Sequence, residues 1–235
     1  MPESFASGVL ANLPETGWFA DCSPDLRREI LALARLKSLA AGSVVFRAGD
    51  VGGDLFRIVS GVVTVQCRFT HQDAVLMHMM WPGEWFGTME VMVERKRNYT
   101  AIARTEVTLL RMPGNELQEL LRRRPEGIIK LGQHAVYGFD LAMQGAADLL
   151  IRDASARCAA VLLRLAGRRW DSGPEALLAV EIPAPQSELA MLCNVSRSTF
   201  SRVMQDFSRR QLVTLNYSSL TLNDPAQLRA VVEAG

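Results

Sequence analysis

The stretch CNVSRSTFSRVM, residues 193–204, places two unlike helix faces directly after a turn. Residues three or four apart on a helix share a face. Phe200, Val203 and Phe207 fall on one stripe with Met204 beside it, and Arg197, Ser198, Ser201, Arg202 and Gln205 fall on the opposite one. The first stripe suits burial. The second is cationic and rich in hydroxyl and amide groups, which suits phosphate oxygens and base edges, Arg being well matched to guanine. An ordinary solvated helix shows the same amphipathic pattern, so the preceding segment has to separate the two readings.

That segment, PQSELAMLCN at 185–194, reads as a helix start, with Pro185 near the first turn and Ser187 and Glu188 beside it. Leu189 and Cys193 lie four apart on its inner face, and Ala190 supplies the small side chain that two steeply crossed helices need at their contact. Asn194 falls at the turn, where the backbone needs positive φ and Asn is the best substitute for Gly. Val195 follows as an apolar plug, and Ser196 is placed to cap the second helix. Together these positions describe a helix-turn-helix.

On the C-terminal side, LVTLNYSSLTL is two strands around Asn216–Ser219, a hairpin wing, and DPAQLRAVVEA is a short extra helix. On the N-terminal side, RDASARCAAVLLRLAGRRW is a helix with Arg152-Asp153 as a hinge before it, DSGPE is a turn and LLAVEIP is a strand. Residues 126–151 form one long helical stretch with Ile128, Leu131, Ala135, Phe139, Ala142, Ala146 and Leu149 near heptad spacing, which predicts a second copy of the chain as its partner. Before it, GNELQELLRRR is a helix stopped at Pro125. From residue 43 short β-branched runs (SVVFRAGD, DLFRIVSG, VVTVQCRF, AVLMHMMWPG, EVTLLRMP), broken by Gly and Pro-Gly turns, mark an antiparallel sandwich or barrel. Residues 15–40 are expected to be helical, with Ser23 as cap and Pro24 in the first position.

The 235 residues, 49% apolar, allow one or two well-cored domains. No membrane-spanning run and no secretory signal are read from the sequence, and a cytoplasmic location is expected. Cys22, Cys67, Cys158 and Cys193 are scattered without a CxxC pair, which predicts reduced thiols and neither a disulfide framework nor a metal site. Net charge is +1, but residues 154–222 hold eight Arg against five acidic groups. The cluster Arg197, Arg202, Arg209 and Arg210, set against Asp206, carries most of that bias. No Gly-rich phosphate loop, metal-ligand spacing or nucleophile motif points to an enzyme.

The order of elements, with SELAMLCNVSRSTFSRVM as its sharpest motif and FRAGD, IVSGVV and WPGEWFG in matching positions, resembles the CRP/FNR superfamily of bacterial transcription regulators over roughly residues 15–222. The resemblance implies an α+β chain. Residues 1–124 would be an antiparallel β-roll (a double-stranded β-helix or jelly-roll), 125–153 a long dimerisation helix with its hinge, and 154–235 a winged helix-turn-helix. It also implies a homodimer on two-fold symmetric double-stranded DNA, with RNA polymerase as a further partner. The candidate DNA contacts are Gln186, Ser187, Arg197, Ser198, Thr199, Ser201 and Arg202. Ser198 stands where many members carry a Glu that accepts from cytosine, so a different half-site is expected.

The candidate effector pocket comprises Gly87, Thr88, Met89, Glu90, Arg97, Asn98, Tyr99, Ala142 and Met143. Cyclic-nucleotide binders of the superfamily carry Gly-Glu, for the ribose hydroxyl, and further on Arg-Ser or Arg-Thr, for the cyclic phosphate. Counting from Gly87, Thr88 stands at the Glu position, Asn98 at the Arg and Tyr99 at the Ser. A buried phosphate would then lack its charge partner, so cAMP is not expected. A shift of one or two residues would enlist Arg97 or Glu90. Haem and iron–sulfur are not expected either: haem ligation there would need Cys or His where Gly87, Thr88 and Met89 stand, and Cys22 stands alone near the N-terminus. His71, His78, His134 and Cys193 read as structural residues. Two alternatives stay open: a regulator responding to a cyclic nucleotide or another small molecule through a shifted pocket, and a β-roll ligand-binding protein that has lost its DNA role.

Overall fold

Ser23 caps the first helix as its sequence predicts. Its Oγ accepts from the Leu26 amide at 3.3 Å, and Pro24 opens α1 (Pro24–Ala32). The computed structural model describes residues 17–67, 74–93, 95–169 and 178–235; His71 and the DSGPE turn lie outside them. The helix expected through residue 40 ends early. Residues 35–39 are instead β1 (Arg35–Leu39), paired antiparallel with β8 (Val107–Met112) from Arg35↔Arg111 to Leu39↔Val107. Leu-rich sequence carries helix propensity of only tenths of a kcal/mol per residue, roughly 0.7 at most between ordinary residues, and a ladder that satisfies two backbones overrides it.

The other strands are β2 (Val44–Phe46), β3 (Leu55–Ser60), β4 (Val63–Cys67), β5 (Val75–Met80), β6 (Trp85–Phe86) and β7 (Thr100–Ala103). They make two four-stranded sheets, ordered β1-β8-β3-β6 and β2-β7-β4-β5. Alternation along β3 and β8 separates two cores. Leu55, Leu110 and Met112 join Trp18, Phe19, Leu26, Ile30 and Leu117 in one; Phe56, Ile58, Val107 and Leu109 join Phe46, Val63, Phe86 and Ala101 in the other. Arg57 is fully buried, its guanidinium 5.7 Å from the ring centre of Phe19 and 5.3 Å from that of Trp85. Residues 88–92 form the short helix α2 (Thr88–Met92).

Helices α3 (Gly114–Arg123) and α4 (Glu126–Leu150) follow. The α4 stripe divides. Leu131 is buried in the chain's own core with Trp18 and Trp85. A different row, Ile129, Val136, Met143 and Leu150, is exposed at strict seven-residue intervals, with Phe139 between them 64% exposed.

Compact packing divides the chain within α4, into the residues up to Val75 with Met80–Asp140, and Leu76–Met79 with Leu141–Gly235. The second unit centres on α5 (Ala154–Leu165), capped by Asp153, whose Oδ1 accepts from the Ala156 amide at 2.7 Å. Around it come β9 (Val180–Ile182), α6 (Gln186–Leu192), α7 (Arg197–Arg209), β10 (Val213–Leu215), β11 (Leu220–Leu222) and α8 (Pro225–Ala234). The wing is antiparallel, in the order β10-β11-β9.

Three helices of this unit end alike. A residue with positive φ (Gly167 at 65°, Asn194 at 51°, Gln211 at 59°) follows each helix. Its amide, and that of the next residue, turn back onto the last carbonyls, as in Gln211 N–H to Ser208 O and Leu212 N–H to Phe207 O. Gly and Asn suit that backbone, whereas Gln is strained in it. Gln211→Gly should therefore raise stability by about 0.5–1 kcal/mol. Urea midpoints will check this, and a lower midpoint would contradict the strain.

Candidate functional site

The helix-turn-helix is built from main-chain geometry upward. Asn194 N–H donates to Met191 O at 3.0 Å and Val195 N–H to Ala190 O at 3.1 Å, closing α6 in a tight turn. Ser196 then caps α7, its Oγ accepting from the Thr199 amide at 3.1 Å. Phe200, Val203, Met204 and Phe207 are buried beneath α7. Arg197, Ser198, Arg202 and Gln205 are exposed, and Thr199 and Ser201 are half-buried. At the start of α6, Gln186 is half-buried and Ser187 exposed.

The cations differ in availability. Arg209 and Arg210 pair with Asp206 at 3.1 and 3.6 Å, whereas Arg197 and Arg202 make no ion pair among the described residues. Two free guanidinium groups on one exposed face make a site for phosphate oxygens and base edges.

Sequence reasoning missed one support of this head and one exposed side chain on its wing. Arg157 of α5 donates from Nε to the Cys193 carbonyl at 2.9 Å and from Nη1 to the Ile151 carbonyl at 2.5 Å, so one guanidinium holds the turn to the segment that follows α4. Nothing local in the sequence marks that reach. Tyr217 is fully exposed in the hairpin turn between β10 and β11; an aromatic inside a four-residue turn was the available signal. Cys193 is packed as expected: its thiol is pushed well up by its hydrogen bond with Cys158 and by burial.

The β-roll site is organised by Arg97. Its Nη1 donates to Glu90 Oε2 at 2.6 Å and to the Gly87 carbonyl at 3.3 Å, and its Nη2 to the Asp54 carbonyl at 2.7 Å. Its guanidinium lies 4.2 Å from the Phe46 ring centre. Gly87, at φ 90°, is required there: a Cβ would stand 3.0 Å from Arg97 Nη1 and 2.5 Å from the Asp54 carbonyl oxygen. Thr88 is buried, and its hydroxyl has no hydrogen-bond partner among the described residues. Tyr99 packs on Phe46 at 5.3 Å, and burial pushes its phenol up to about 12.

Counting from Gly87 put Asn98 where an arginine was sought, but Asn98 is exposed and its neighbour Arg97 is the buried side chain. Met89 is also exposed, as are Ala142 and Met143 on α4. His134 donates from Nε2 to the Trp85 carbonyl at 3.0 Å, and burial holds His78 down at about 3, a neutral ring.

Residues 36–124 match the family model of the cyclic nucleotide-binding domain, and residues 156–231 that of the Crp-like helix-turn-helix domain. The chain belongs to the CRP/FNR superfamily. This CRP/FNR chain is 27% identical over 216 residues to the CRP-like cAMP-activated global transcriptional regulator of Mycobacterium tuberculosis, across 92% of its own length and 96% of the relative's. It is 28% identical over 194 residues to the cyclic AMP receptor protein of Thermus thermophilus, across 81% and 84%. The solved structure of a CRP/FNR-family transcriptional regulator from Thermus thermophilus superposes with a TM-score of 0.63 at 27% identity, covering 85% of this chain and 98% of that one. This member is accordingly a CRP/FNR-type transcription regulator with a helix-turn-helix DNA-binding domain. No helix among its described residues is long and apolar enough to cross a membrane.

Proposed function

We propose that this regulator binds a two-fold symmetric DNA site as a homodimer, and that it does so without cAMP. The observation that carries the DNA contact is the pair of unpaired arginines, Arg197 and Arg202, on the exposed face of α7. The exposed seven-residue row Ile129, Val136, Met143 and Leu150 supports the homodimer. Two copies would set their α7 helices in major grooves about 34–36 Å apart. Independence from cAMP is supported by Thr88 in place of the ribose-binding Glu and by an Arg97 already paired with Glu90. RNA polymerase as partner and a cytoplasmic location belong to the same reading.

Mobility-shift titration against a selected DNA pool, with no nucleotide added, tests it. Wild-type protein should shift a two-fold symmetric sequence. Arg197→Ala should cost about 1–3 kcal/mol on that sequence and blur the selected bases. Binding only after cAMP is added would refute the nucleotide independence. Unchanged affinity and selectivity in the variant would remove Arg197 from the interface.

A further inference from the structure

The Arg97 guanidinium is 3% exposed and Glu90 is 1% exposed, at 2.6 Å from each other, so the cation of the β-roll already has a carboxylate of its own chain. A buried cation needs an anion beside it. In a receptor for a phosphate, that anion arrives with the ligand. Here it is tethered on α2, seven residues before Arg97 in the chain, and is always present.

The surroundings reinforce the arrangement. Arg97 is fixed by the Gly87 and Asp54 carbonyls and by the Phe46 ring, so it cannot follow a ligand elsewhere without losing those contacts. The second oxygen of Glu90, Oε1, accepts no hydrogen bond among the described residues and lies 3.9 Å from Arg95 Nε. The Thr88 hydroxyl, in the same short helix, is buried and also without a hydrogen-bond partner among the described residues. Neutralising Glu90 therefore leaves a desolvated guanidinium without its anion, a donor suited to phosphate oxygens.

We propose that Glu90 is a built-in anion for the β-roll, that it excludes cyclic nucleotides and other small phosphates, and that removing its charge turns the roll into a receptor for them. This rests on the reading that the regulator binds DNA without cAMP. Glu90 is thus the specificity-determining residue of the roll. It acts by occupying Arg97.

Calorimetric titration of the full chain with cAMP, and with inorganic phosphate as a second probe, tests the proposal on wild type, Glu90→Gln and Glu90→Gln/Arg97→Gln. Wild type should show no saturable binding. Glu90→Gln should bind cAMP at least about tenfold more tightly than wild type, and the double variant should lose that gain. Glu90→Gln should also melt below wild type and recover when the nucleotide is added. A folded Glu90→Gln protein that binds neither probe overturns the proposal, and so does a double variant that binds as well as the single one. If Glu90→Gln does not fold by itself, refolding it with about 10 mM cAMP or phosphate is the deciding measurement. Rescue supports the built-in anion, and failure to rescue overturns it. The mobility shift of wild-type protein without nucleotide is a separate reading, so loss of the underlying function and loss of this inference are told apart.

Discussion

Replacing Asp148 by Ala should cost about 3–5 kcal/mol of stability in the unit that carries the helix-turn-helix. Asp148 is 2% exposed and lies near the end of α4. Its Oδ2 accepts from Arg164 Nε at 3.2 Å and its Oδ1 from Arg169 Nε at 3.3 Å. The sequence makes room for this: a Cβ on Gly145 would already stand 3.3 Å from the Arg164 guanidinium carbon. Removing the carboxylate leaves two guanidinium groups that are largely out of water without the anion between them. Breaking a buried pair costs far more than the intact pair contributes relative to an apolar substitute. Urea unfolding read at far-ultraviolet wavelengths will measure it, and a loss under about 1 kcal/mol would mean that the arginines find other anions. A variant with Asp148 and both arginines changed to Leu or Met should regain most of the loss.

Phe139→Asp should abolish self-association at micromolar concentration while leaving the protomer folded. Phe139 is 64% exposed within one chain, so its loss removes little internal packing. In a two-fold seam it is buried twice. At about 1.5–3 kcal/mol for each aromatic side chain, the two copies together account for up to about 6 kcal/mol, or roughly a 10⁴-fold rise in the dimer dissociation constant. Two facing carboxylates add repulsion to that. Sedimentation velocity should show wild type as a dimer and the variant as a monomer that keeps a native far-ultraviolet spectrum and a cooperative melt, at a lower temperature because the dimer no longer stabilises the fold. A wild-type monomer would end the homodimer reading, and a dimeric variant would move the seam away from Phe139.

The helix-turn-helix was legible because each of its positions has a local physical cause. Asn194 tolerates left-handed backbone, Ser196 caps, and Phe200, Val203 and Phe207 repeat at helical spacing. Gln211 adopts the same backbone as Asn194 without announcing it, since no local preference predicts Gln there. The α4 stripe was harder to read because the helix has two apolar sides. Leu131 faces the chain's own core and the row from Ile129 to Leu150 faces outward, and a single periodicity count merges them. Strand β1 was hidden because its partner β8 is far away in sequence. In the β-roll, the meeting of Glu90 with Arg97 depends on a short helix and a loop whose lengths set the register, so counting from Gly87 reached the neighbouring Asn98.

The way α7 is held has an evolutionary consequence. Its two ends are fixed by backbone hydrogen bonds at Asn194 and Gln211 and by the Ser196 cap, and its underside by Phe200, Val203, Met204 and Phe207. Arg197, Arg202 and Gln205 take no part in that fastening. The helix is therefore a fixed type-bar with replaceable letters: duplicated copies of the gene could acquire new operators by exchanging exposed residues one at a time, without relearning how to fold.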